Sequence, residues 1–351
     1  MRWWPHTDDP RVASYRLRCL QIIDALSSRG VDAGLHRPTR AERPQVLVLS
    51  KRYDAATLAQ ALALRERAGT RLVLDVCDNH FHVDNDDPLL RRRADALRQA
   101  VSAVDQVSAS SEALAVVIAA ECPAQRRIAV IPDAAEAPFE PRGSARWREP
   151  RAEWALSRLQ AALQRSGVDG ARRLLWFGNR GSAGADGGMS DLLRIGDALH
   201  LAHRWQPLTL TVISNDRQKF GRLAADWSLP TFYLDWRAHT FSRAARLHGA
   251  ALIPVGLNPF TRCKTNNRAA TAFVHGLNVI ADSIPSYQEF AGCAVLDDWP
   301  RGLGAYLGDT TRRAADVEAA RRLVAERYSL DSVAARWHEL VVKAASDGGD
   351  S

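Results

Sequence analysis

Short apolar runs alternate with amphipathic stretches along nearly the whole chain, and nothing else in the sequence restricts its fold so strongly. Gln45–Ser50 (QVLVLS) and Arg71–Val76 (RLVLDV) are apolar runs of strand length. Between them, Ala55–Gly69 carries apolar residues at helical spacing and stops on a glycine. Strand, helix and strand in so short a stretch read as a βαβ unit, whose crossover forces the two strands to be parallel. Asp105–Ser111 reads as a short strand and turn. A helix capped by Ser110 or Ser111 follows, then a strand in RIAVIPDA. Ser14–Gly30 reads as an amphipathic helix.

Periodicity is lost over Glu136–Pro150, which is rich in proline, arginine and glycine and reads as an interdomain linker. A second alternating series follows it. Strands are expected at Arg172–Gly178, Leu208–Asn215, Phe232–Trp236, Ala250–Gly256 and Asn278–Asp282. Helices are expected at Gly187–Arg204, around Thr240–Gly249 and from about Lys264 to His275. Two helices separated near Tyr328–Leu330 close the chain, and the tail SDGGDS is expected to be disordered. The fold class is therefore α/β, with two Rossmann-like doubly wound domains facing across a cleft and ligands at the carboxyl ends of the strands. The expected division is residues 1–140, a linker and first helix at 141–170, a second domain at 171–330, and a helix and tail at 331–351.

Composition excludes several classes. The chain has 351 residues, 46% of them hydrophobic and 25% charged, as in ordinary globular proteins. It has no apolar run long enough to span a bilayer, and its first residues lack the apolar core of a secretory signal. The five cysteines are far apart and form no CxxC or Cys/His pattern. This argues against structural zinc or a disulfide framework and fits a cytoplasmic protein. The formal charge of +7 points to a phosphate-bearing ligand or an anionic membrane face. The arginines of Leu89–Gln99 read first as a solvated helix face. No basic stretch interleaved with aromatics forms a nucleic-acid module.

Two loops that follow strands carry the chemistry. After Arg172–Gly178 comes NRGSAGADGGMSD, in which glycines and Arg180 precede a helix start, where backbone amides can cradle a diphosphate. It is not a Walker A sequence, and no GxGxxG follows the first strand of either half, so a nicotinamide dehydrogenase is poorly supported. The second loop lies in Phe260–Phe290. It sets Arg262, Lys264 and Arg268 at or inside the first turn of the expected helix, where cations oppose the helix dipole at roughly 0.3–1 kcal/mol each. A bound anion would reverse that penalty. In DVCDNHFHVDNDD, Asp78 and His80 follow a strand. The loop is otherwise polar surface, and its His/Asp density lacks the fixed spacing of a metal site.

The stretch from Ala250 to Phe290 resembles the donor-binding region of GT-B glycosyltransferases, particularly the retaining family 4 type. LLWFGNRGSAGADGGMSDLL is similar to that family's G-R-x-x-x-x-K-G loop, RIAVIPDAAE to its V-x-V-I-P-N-G-V-D, and DQVSASSEALA to its D-x-V-x-x-x-S. LVLDVCDNHF is similar to the fifth strand of its N-terminal domain. The resemblance implies a transferase that moves a hexose-type residue from a nucleoside diphosphate sugar to a saccharide or lipid-linked acceptor, in polysaccharide biosynthesis for instance. It implies retention of configuration and needs neither metal nor cofactor beyond the nucleotide-sugar co-substrate. Partners would be that donor and acceptor, with peripheral contact to an anionic inner-membrane face. It assigns Asp78, His80, Lys264 and Arg268 to catalysis. Gly178, Arg180, Trp236, Asn258, Asn266, Asn267 and Thr271 go to the donor, and Ser14, Tyr15 and Arg16 to the acceptor side. The sequence departs from the family in three places. Cys263 and Thr271 stand where two glutamates are usual, Asp78 stands near a usual histidine, and His6–Arg16 replaces a glycine-rich loop. An epimerase of the same fold, or a non-catalytic nucleotide-sugar-binding relative, are the alternatives these departures leave.

Overall fold

The computed structural model describes residues 1–38, 42–139, 149–181 and 187–346. The chain forms two compact units. The first comprises residues 1–134, 258–265 and 326–351, and the second residues 135–257 and 266–325. The expected linker and the centre of the glycine-rich loop fall largely outside the described residues, as does the tail.

The first unit is built on a six-stranded parallel sheet. Its strands are β1 (Arg2–Pro5), β2 (Gly34–Leu35), β3 (Val46–Ser50), β4 (Arg71–Val76), β5 (Gln106–Ala109) and β6 (Ile128–Val130). They lie in the order β2-β1-β3-β4-β5-β6. β3 is buried throughout and β4 from its second residue, as a sheet covered on both faces requires. Its helices are α1 (Ala13–Tyr15), which runs through a π-helical turn at Arg16–Leu20 into α2 (Gln21–Ser27), then α3 (Ala55–Ala68), α4 (Pro88–Ala103) and α5 (Glu112–Glu121). Each of α3, α4 and α5 starts on a side-chain cap, from Asp54, Asp87 and Ser111. Gly69, left-handed at φ 66°, ends α3.

The second unit holds another six-stranded parallel sheet. Its strands are β7 (Arg173–Phe177), β8 (Thr209–Ser214), β9 (Thr231–Asp235), β10 (Ala250–Ile253), β11 (Asn278–Ala281) and β12 (Val295–Leu296), in the order β12-β11-β10-β7-β8-β9. The covering helices are α6 (Pro150–Arg165), α7 (Gly196–Trp205), α8 (Arg217–Ala224), α9 (Ala238–Ala245), α10 (Asn267–Val274), α11 (Trp299–Gly308) and α12 (Thr310–Arg327). Trp176, Leu192, Leu210, Leu252 and Ile280 pack in one continuous core. The last helix, α13 (Leu330–Ser346), belongs to the first unit. Its Trp337 packs edge-on to Trp3 at 5.8 Å, within a cluster that includes Ile22 and Val48. Among the described residues, no helix is long and apolar enough to cross a membrane.

RWWP forms β1 and a two-residue β2 follows it, so the strand that precedes Asp78 is the fourth in the chain. Two sequence expectations are corrected here. The helix expected from Lys264 begins at Asn267. Arg262 instead lies in a short 3-10 turn (Thr261–Cys263), and Lys264 is extended (ψ 152°). Finally, residues 258–265 and α13 fold with the first unit, where the sequence division put the former in the second domain and gave the latter no domain of its own.

Candidate active site

In a doubly wound sheet, ligands bind at the carboxyl ends of the strands, where the strand order reverses. In the first unit that point lies between β1 and β3. The residues after these strands line a pocket of about 220 Å³ formed by His6, Lys51, Arg52, Tyr53 and Asp54. Lys51 is left-handed at φ 53°, a conformation that costs a side-chain-bearing residue about 1 kcal/mol and that concentrates at functional positions.

Lys51 is held by Asp78 at the end of β4, and the other oxygen of the same carboxylate holds Lys264. The Lys264 ammonium also lies 4.2 Å from the centre of the Phe260 ring. Burial alone would raise the pKa of Asp78. Lys264 and Lys51 outweigh it and hold the carboxyl well below the usual range. His80 stacks on Phe260 with ring centroids 6.3 Å apart, its Nδ1 hydrogen-bonds with the Tyr53 hydroxyl, and its Nε2 lies 4.0 Å from Asp78. Burial pushes His80 down to about 3 against the pull of Asp78, so the imidazole is neutral at pH 7. The segment bearing Lys264 is fastened at several points. Asn79 donates to the Pro259 carbonyl at 3.0 Å, Ser111 to the Cys263 carbonyl at 2.8 Å, and Thr265 to Asp133 at 2.9 Å. Asp133 in turn accepts from the Nη1 of buried Arg18, whose Nε and Nη2 both donate to Asp75.

In the second unit the strand order reverses between β7 and β10. Gly178 follows β7, and a Cβ placed there would sit 3.6 Å from the Arg268 guanidinium. Arg268 is the second residue of α10, whose first turn has no side-chain cap: the Asn266 Nδ2 donates to Glu289 at 2.7 Å, while its Oδ1 takes none of the turn's amides. Uncapped amides and a cation make this turn suited to an oxyanion. Buried Asp191 faces the same place and accepts from the Gly256 amide at 3.2 Å. Burial pushes its carboxyl up, with Gly256 and Arg268 opposing. The glycines flanking the loop have a steric reason of their own. Gly181 and Gly188 both have positive φ, and a Cβ on Gly188 would meet the Gly181 nitrogen at 2.5 Å.

The structure brings Asp78, His80 and Lys264 together in the first unit, and Gly178 and Arg268 together in the second. Arg180 points elsewhere, with a guanidinium nitrogen 3.5 Å from Asp216. Half-buried Trp236 directly follows β9, its backbone amide donating to the Ser214 carbonyl at 2.8 Å. Asn267 opens α10, and Asn266 is buried with no partner for its carbonyl oxygen among the described residues. Thr271 is buried, and its hydroxyl accepts from the Glu136 amide at 3.4 Å. Asn258 lies in the first unit, where its side chain accepts from the Thr261 amide at 2.8 Å and forms a turn. The acceptor-side expectation is corrected for Tyr15, which is buried in the apolar cluster beneath β1. Arg16 donates to the Pro10 carbonyl at 2.9 Å, and Ser14 is half-buried. Sequence reasoning missed Lys51, Tyr53 and His6. Their only signal was position, directly after β1 and β3. Among the described residues, no group of three His, Cys, Asp or Glu side chains is placed to hold a metal.

The sequence matches no protein-family profile and no curated protein. Among solved structures, HepE of Anabaena in complex with UDP-glucose is similar over 97% of this chain and 99% of its own, with a TM-score of 0.66 at 13% identity. S. aureus TarM is similar over 85% of this chain at 12% identity, with a TM-score of 0.60. This chain spans about half of TarM's length, 55%. Sucrose-phosphate synthase of Thermosynechococcus elongatus is similar over 86% of this chain and 74% of its own, with a TM-score of 0.60 at 13% identity. These structural neighbours are GT-B glycosyltransferases, and the fold of this chain is GT-B.

Proposed function

We propose that the chain is a metal-independent glycosyltransferase that moves a sugar from a nucleoside diphosphate sugar to a saccharide or lipid-linked acceptor. One observation carries the reading: Arg268 stands in the uncapped first turn of α10, beside a glycine at the strand-order reversal of a GT-B sheet. There the backbone amides and the guanidinium can take the charge that develops on a departing diphosphate, the work a metal would otherwise do. UDP, which HepE and TarM bind in their complexes, is the first nucleotide to test. Arg180 would add a second cation on leaving Asp216, and Trp236 would edge the base.

In the reaction, the bond from the sugar C1 to the diphosphate oxygen breaks and its electron pair leaves with the diphosphate. The acceptor oxygen bonds to C1. Asp78 is a poor base, because its two lysines keep it ionised at low pH, and His80 is neutral, buried and bonded to Tyr53. The acceptor's proton therefore goes to the leaving phosphate, as in a retaining front-face course. Asp78, His80 and Lys264 shape and charge the acceptor side, around the pocket of Lys51 and His6. A second reading, nucleotide-sugar binding without transfer, is favoured by one observation: Cys263 and Thr271, at the positions of the usual glutamates, are both buried.

Calorimetric titration with UDP, GDP and ADP, followed by product analysis with the matching sugar nucleotides, tests the proposal. One diphosphate should bind, and Arg268→Ala should weaken it about tenfold, ~1.4 kcal/mol. Binding without any turnover would select the second reading. Failure of every nucleoside diphosphate to bind would sink both.

A further inference from the structure

At the opposite, amino end of the first unit's sheet lies a second pocket that the proposed reaction does not use. It has a volume of about 390 Å³ and is lined by Gln106, Arg126, Arg127, Ile128, Ala129 and Lys343. Gln106 opens β5, Arg127 immediately precedes the edge strand β6, and Lys343 comes from the last turns of α13. The size falls within the range of about 300–1,000 Å³ usual for small-molecule sites.

Its chemistry is one-sided. Three cations line it and no acid does. Arg126 and Lys343 form no ion pair with any described residue, not even with Glu339 one helical turn before Lys343. Gln106 is 8% exposed and belongs to the lining of the pocket, where its side-chain amide adds polar donors to the cations. The Arg126 guanidinium fork and the Lys343 ammonium, with an amide that can donate two hydrogen bonds, match a group offering several acceptor oxygens and two negative charges. A carboxylate would leave most of those donors unused.

We propose that this pocket is a binding site for a phosphate-bearing ligand, separate from the candidate active site. The phosphate could belong to a soluble ester or to the headgroup of an anionic lipid, and the experiment distinguishes the two. Inorganic phosphate is titrated into the full chain and into an Arg126→Glu/Lys343→Glu variant. Both residues are exposed, so the variant's thermal transition should match the parent's, and Arg126→Gln/Lys343→Gln serves if it does not. Cosedimentation with phosphatidylglycerol vesicles, against phosphatidylcholine, is measured alongside. Saturable phosphate binding that weakens tenfold or more in the double variant and persists in Arg268→Ala supports a soluble phosphate ligand. Binding only to phosphatidylglycerol vesicles, lost in the same variant, supports a lipid headgroup. If neither probe distinguishes the double variant from the parent, the proposal is overturned. The Arg268→Ala arm keeps this outcome separate from any failure of the nucleotide site.

Discussion

One carboxylate, Asp78, holds two ammonium groups from distant parts of the sequence, and this determines what replacing it should do. Asparagine keeps the shape but leaves Lys51 and Lys264 without their counter-charge in a half-buried site. Asp78→Asn should destabilise the first unit by about 1–3 kcal/mol, read from urea unfolding. The exposure of Lys264 keeps the figure below that of a fully buried pair. His80 makes a pH prediction. Its folded pKa, about 3, lies below the unfolded value of 6.5, so the unfolded chain binds the extra proton. Its contribution is complete above pH 6.5 and drains away as pH falls toward 3, at up to about 1.4 kcal/mol per pH unit. Buried His248, lowered by burial to about 4, acts in the same direction in the second unit. His80→Gln should therefore flatten, without abolishing, the fall in stability between pH 6.5 and 4. An unchanged slope would mean that His80 is not buried as a neutral ring.

At the scale of elements, the crossing of Gly181 and Gly188 fixes how the loop after β7 meets the helix that follows it. Gly188→Ala places a methyl group against backbone that cannot yield. We expect a loss of at least about 1–3 kcal/mol, together with weaker nucleotide binding, measured by thermal shift with and without UDP. A variant with the parent's stability would show that the loop has another path. The sequence revealed elements where hydrophobic period and capping agreed. β3, α3 and β4 are found within a residue of expectation, and Ser111 caps α5. β1 was hidden because RWWP carries an arginine and a proline in place of an apolar run. α8 was hidden because it is short and only Phe220 and Leu223 mark its apolar side, neither of them fully buried. The start of α10 was misread by three residues, because Lys264 is drawn to Asp78 and not to the helix. That contact joins positions 186 residues apart, which no local pattern can report. Lys51 was missed for the same reason. A lysine after a strand looks like any surface lysine until the fold supplies its partner.

At the scale of the molecule, the first unit depends on α13. Trp337 is wholly buried against Trp3, with the Arg18 guanidinium 5.6 Å from its ring. Trp337→Ala should cost the first unit about 3–5 kcal/mol. Differential scanning calorimetry should show one transition falling while the other, from the second unit, keeps its temperature. If both fall together, the two units do not melt independently.

That dependence sets an order of assembly at the ribosome. Domains of a growing chain ordinarily fold as they emerge, the N-terminal one first. Here the first hundred and thirty or so residues emerge without Trp337, Leu340 and Val341, which complete their core. They must wait while the whole second unit is made. The residues of the first unit that precede the second unit thus cannot complete their core until α13 has been made, and until then their unsealed apolar face is the segment a chaperone would have most reason to hold.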